Sequence, residues 1–89
     1  MAVYLLTYDL SHKPEKDYEP VLKYIKSHAW ARLSESSYAI EYAGTPTQIW
    51  NQVVSLIHEN DTFLILTLRA PWEGRAPKEV IDWLQARLI

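Results

Sequence analysis

Asp9 stands near the end of an apolar, aromatic run, Val3-Tyr4-Leu5-Leu6-Thr7-Tyr8-Asp9-Leu10, and Ser11 and His12 follow at once. A carboxylate carried to the end of a strand beside hydroxyls and an imidazole can do two kinds of chemistry. It can hold Mg²⁺, which needs only one or two carboxylates completed by water and substrate phosphates. With His12 beside it, it can also help to move a proton. A strand-end aspartate equally serves as a turn cap, accepting a hydrogen bond from the Ser11 or His12 amide. A polar contact at an interface is a third use, and the residues alone leave all three open.

The other candidates are fewer than the composition suggests. His28 and His58 each close a predicted helix, where a cation complements the helix dipole, and the three histidines have no metal-ligand spacing. Arg32 can approach a phosphate near Asp9 or can serve as a solvated charge on an edge strand. Trp50 and Trp83 fall at helical spacing and read as packing residues. Trp72, in a Pro-Trp-Glu-Gly loop, is either an interface anchor or a plug for the open end of the sheet. There is no glycine-rich phosphate loop, serine nucleophile elbow or H-E-x-x-H helix. The absence of cysteine excludes disulfides, thiolate zinc sites and cysteine nucleophiles.

Eighty-nine residues make one domain, 1–89, and 48% hydrophobic content with four Trp and six Tyr is ample for a packed interior. The net charge is -2 and the lysines and arginines are scattered, so no basic stripe supports affinity for polynucleotides by counterion release. The opening residues are apolar but too few for a membrane span, and they lack a basic leader. The expectation is a cytoplasmic protein with no membrane association.

What must position Asp9 is legible from periodicity. Residues 3–10 predict a central strand, with Tyr4, Leu6, Tyr8 and Leu10 on one face and Val3, Leu5, Thr7 and Asp9 on the other. A helix over 17–28 follows, carrying Tyr18, Val21, Leu22 and Ile25 at amphipathic spacing. Strands are predicted over 30–33 and 37–42. The run Thr45-Pro46-Thr47-Gln48 is a capping box with proline in the first helical position, opening a helix that extends to about residue 58. A strand over 62–69 and a last helix opened by Pro77 complete the chain.

The order β-α-β-β-α-β with an extra C-terminal helix predicts an α+β fold, the ferredoxin-like antiparallel sheet with strand order 4-1-3-2. In that sheet Asp9 meets Ser36, Ser37 and Tyr38 on one side and Asp61 and Thr62 on the other. Tyr8, Ser11, His12, Arg32, Ser37 and Asp61 are thus its candidate supporting residues. Two helices cover one face only. The other face, expected to carry Val3, Leu5, Phe63 and Ile65, is too apolar for water. Either the last helix or a second copy must cover it, and the expectation is a homodimer through that face and Trp72, with the tail wrapping the partner.

The opening strand resembles that of the small ferredoxin-like subunits of the CRISPR adaptation complex. It is closer to their stand-alone SinR-like relatives and more distant from VapD-type toxins. Trp30 at the start of strand 2, Ser36-Ser37 opening strand 3, Asn60-Asp61 before a Leu-rich strand 4, and a Trp-Glu-Gly segment leading to a Trp-Leu helix are similar in order. The resemblance implies a homodimer and, in some members, Mg²⁺-dependent cleavage of nucleic acid. The catalytic metal ligand would then be Asp9, presented twice across a two-fold axis. The other reading is a non-catalytic dimeric adaptor or inhibitor that binds a protein or nucleic-acid partner.

Overall fold

The even-numbered residues of the first strand are the floor on which the core is built. The computed structural model describes residues 1–10 and 18–89. Within β1 (Ala2–Asp9), Tyr4, Leu6 and Tyr8 are buried on one face, and Leu10 follows them. They pack with Tyr38, Ile40 and Phe63 of neighbouring strands and with Val21, Ile25, Ile49 and Val53 of two helices. Fully burying residues such as Ile25, Ile49 and Val53 stabilises the fold by about 1.5–3 kcal/mol each.

Each helix begins and ends where its local chemistry requires. α1 (Glu19–Lys26) has proline in its first turn and buries Val21 and Ile25, four residues apart on one face. At its end the Ser27 hydroxyl and the His28 Nδ1–H both donate to the carbonyl of Tyr24, at 2.6 and 2.9 Å. His28 therefore closes the helix as its position predicts. α2 (Pro46–Val53) opens with the expected capping box. Gln48 N–H donates to Thr45 Oγ1 at 3.2 Å, and Thr45 N–H donates to Gln48 Oε1 at 2.8 Å. The α-helix is shorter than expected, because β-branched Val53 and Val54 lead into a 3₁₀ turn, Val54–Leu56. Leu56 and Ile57 still reach the core from that turn.

β2 (Trp30–Ser34), β3 (Ser37–Tyr42) and β4 (Thr62–Leu68) join β1 in one antiparallel sheet of order β2-β3-β1-β4. With α3 (Lys78–Arg87) this is the α+β, ferredoxin-like βαββαβ fold with an added C-terminal helix. No helix of the described residues is long and apolar enough to cross a membrane.

α3 lies on its own sheet. Val80 and Leu84 form a second core with Val3 and Ala39, joined by Leu33, Leu68, Trp72 and Leu88. Arg87 adds a polar tie, its Nε 3.3 Å from Glu41 Oε1 of β3 and its guanidinium 4.0 Å above the Trp83 ring. The last helix thus covers part of the sheet's open face, over Val3, Ala39, Leu33 and Leu68.

The expected composition of that face needs correction. Register pairs Val3 with Leu68, Leu5 with Leu66 and Thr7 with Leu64, so Leu64, Leu66 and Leu68 share the face of Val3 and Leu5. Phe63 pairs with Tyr8 and Ile65 with Leu6, which puts both on the opposite, helix-covered face. Phe63 is buried there and Ile65 packs against the same cluster.

Candidate functional site

Asp9 is the last residue of β1, stands opposite Thr62 and is exposed. On the same face it lies beside Thr62, its partner in β4, and Thr7, two residues earlier in β1. Thr7 pairs with Ser37, and Thr7 Oγ1 lies 2.8 Å from Ser37 Oγ. Ser37 is thus on the expected side of the sheet, with its hydroxyl already bonded to Thr7. Asp61 is turned toward its own loop, where Oδ2 accepts the His58 amide at 2.9 Å and the Asp61 amide donates to His58 O at 3.0 Å. That carboxylate closes the turn before β4. Ser11 and His12 lie outside the described residues.

This donor set supplies one exposed carboxylate with a nearby hydroxyl pair, and Mg²⁺ needs one or two carboxylates plus water and substrate oxygens. Among the described residues no group of three or more His, Asp or Glu is arranged to hold a metal ion. Within one chain the set offers a single exposed carboxylate, Asp9.

Arg32 falls elsewhere. It pairs with Tyr38 in β3, and Tyr38 pairs with Leu6 in β1, so Arg32 belongs to the helix side of the sheet. Its guanidinium Nε donates to Ser34 O at 3.3 Å. It borders an open cleft of about 760 Å³ lined, among others, by Tyr8, Tyr18, Tyr38, Glu35 and Ser36. The Tyr8 ring stacks on Phe63, with centroids 5.7 Å apart, and lies 6.3 Å from Tyr18. Burial of the ring pushes the Tyr8 hydroxyl up to about 12; Tyr38 and Tyr18 add to the shift and Arg32 opposes it. Tyr8 supports the core and this cleft, on the opposite side of the sheet from the Asp9 carboxylate. The sequence signal for the cluster is the even-numbered tyrosines of two adjacent strands, Tyr8 and Tyr38.

Trp72 is packed within its own chain. It is half-buried, packs against the α3 cluster and donates from Nε1 to Leu88 O at 3.3 Å. Two of the exposed apolar residues lie on β4 and another on α2. Leu64 is 53% exposed, Leu66 47% and Trp50 39%. A shallow recess of about 300 Å³ at this edge is lined by Pro46, Thr47, Trp50, Phe63, Leu64 and Ile65. The sequence reading missed it because it assigned the odd residues of this strand, not the even ones, to the open face.

Compared with protein-family models, with curated proteins and with solved structures, the chain matches none of them.

Proposed function

We propose that the chain is a non-catalytic dimeric adaptor or inhibitor module that takes a protein partner on the half of its sheet left bare by α3. The observation that carries this reading is the pair of solvent-exposed leucines, Leu64 and Leu66, beside half-buried Leu5. Large apolar side chains grouped on one surface of a small domain mark a place where another chain docks. A net charge of -2 favours a protein over a polynucleotide as that partner.

A photo-crosslinker at position 66 tests the reading in cells that express the chain. The expected result is a defined adduct with a protein other than the chain itself, competed away by unlabelled protein. An adduct with RNA or DNA, or no such adduct, refutes it.

A second reading follows from the exposed position of Asp9 beside the Thr7–Ser37 hydroxyl pair. In it, two copies present their Asp9 side chains to one Mg²⁺ and the dimer cleaves nucleic acid, as the likeness to CRISPR-associated and SinR-like proteins implies. Mg²⁺-dependent cleavage of mixed RNA and DNA substrates, lost in Asp9→Ala with folding intact, is its signature. Cleavage that survives Asp9→Ala removes Asp9 from the role.

A further inference from the structure

The two edges of the sheet are built differently. β2 is five residues long, carries Arg32, and has an irregular register between Arg32 and Ser34. These features discourage another strand from adding to it. β4 is the other edge. Its seven residues, Thr-Phe-Leu-Ile-Leu-Thr-Leu, contain no charge, proline or glycine and keep unbroken register with β1.

The direction of its backbone groups follows from the ladder. Tyr8 N–H donates to Ser36 O, so the even-numbered residues of β1 bond to β3 and the odd-numbered ones bond to β4. The β4 partners of those odd residues are Thr62, Leu64, Leu66 and Leu68. The N–H and C=O groups of Phe63, Ile65 and Thr67 therefore point outward along the open edge.

We infer that a second copy of this chain adds to that edge, β4 against β4, antiparallel about a two-fold axis at Ile65. With the axis there, Ile65 meets its own counterpart and Phe63 meets Thr67, so all three outward-pointing residues pair with one another. Leu64 meets Leu66 across the junction, in the closer, non-hydrogen-bonded kind of pair. The edge is thus complementary to itself in hydrogen bonding and side-chain type. The result is a continuous eight-stranded sheet in which the bare leucine surface of one copy runs into that of the next.

This deepens the proposed module by fixing how its two copies meet, and it rests only on the dimer in that reading, not on the partner. It also has a geometric consequence for Asp9. Three strand spacings across and six residues along separate the two Asp9 positions, about 25 Å in all. That is far outside the reach of one shared ion.

The chain has no cysteine, so one introduced at Asp9 carries a spin label uniquely. The expected mass is that of two chains at about 100 μM, where a micromolar dimer is almost fully formed. The expected label separation is centred near 25 Å, broadened by the tether. Thr67→Pro removes one outward N–H and leaves the β1 ladder intact. It is expected to raise the dimer dissociation constant about tenfold or more with an unchanged circular dichroism spectrum. Ile65→Cys is expected to cross-link to itself on oxidation. A monomer at that concentration, a label separation below roughly 15 Å, or a Thr67→Pro protein that dimerises like the wild type overturns the inference. A monomer would remove the dimer from the proposed module as well. A short label separation or an unaffected Thr67→Pro dimer overturns only this geometry, and capture of a different protein at position 66 tests the partner separately.

Discussion

Asp9 and Arg32 stand toward the same end of the sheet but on opposite faces, Asp9 level with Thr62 and Thr7's side, Arg32 level with Tyr38 over the cleft. A sheet lies between them, so they do not contribute to one site. Changes at the two positions should therefore be independent. Asp9→Ala and Arg32→Ala are each expected to alter stability by no more than about 0.5 kcal/mol, and the double variant by their sum within about 0.5 kcal/mol. Urea denaturation of the four proteins checks this.

α3 is held by Val80 and Leu84 against Val3 and Ala39, with Arg87 tied to Glu41. Leu84→Ala is expected to cost about 2–4 kcal/mol, because it empties the centre of that small second core. Arg87→Ala is expected to cost about 1 kcal/mol or less, since the pair is partly solvated. Thermal unfolding followed by circular dichroism separates the two values.

Gly44 sits where a side chain would displace the cap of α2. An added Cβ would collide with the Gln48 side chain and stand 2.6 Å from the Tyr42 ring. Gly44→Ala should push Gln48 out of the capping box and cost about 1 kcal/mol. Because Thr45→Ala removes the other half of that box, the double variant should lose less than the sum of the singles. A double-mutant cycle in urea measures the difference.

The hydroxyls of Tyr8 and Tyr24 are both pushed up to about 12, chiefly by burial. In the unfolded chain each loses its proton near the ordinary tyrosine value of 10. Folding therefore favours the protonated form. That contribution is fully present below pH 10 and is lost as the pH rises from 10 through 12. The denaturation midpoint should be flat up to pH 10 and then fall. The fall should be shallower in Tyr8→Phe; a slope unchanged in that variant would rule out Tyr8 as a contributor. Tyr24→Phe also removes the hydroxyl that donates to Gln52 Oε1 at 2.7 Å, so its midpoint starts lower.

Much of the fold is legible in the sequence because its signals are local. The Thr45–Gln48 box, the even-numbered apolar residues of β1 and the 37–42 strand each need only a few neighbouring residues to be read. The misread element is β4, where Thr-Phe-Leu-Ile-Leu-Thr-Leu is apolar at nearly every position. Periodicity cannot choose the buried face of such a run. Only pairing with β1 does so, and it selects Phe63 and Ile65 rather than Leu64 and Leu66. The candidate site was legible as a collection of residue types at one end of the sheet. Which of them share a face depends on register, and register separates Arg32 from Asp9.

The same strand has a consequence for the chain outside its native state. Seven consecutive residues without charge, proline or glycine, rich in leucine and β-branched side chains, have the composition of segments that stack into cross-β fibrils. In the folded protein β1 occupies one side of that segment and α2 packs above it. Once the chain opens, both protections go together, and this is the stretch from which self-templated aggregation would begin. Its solubility during synthesis and storage then depends on how rarely the domain unfolds, and a single lysine introduced at Leu64 or Leu66 would act as a gatekeeper against fibre growth.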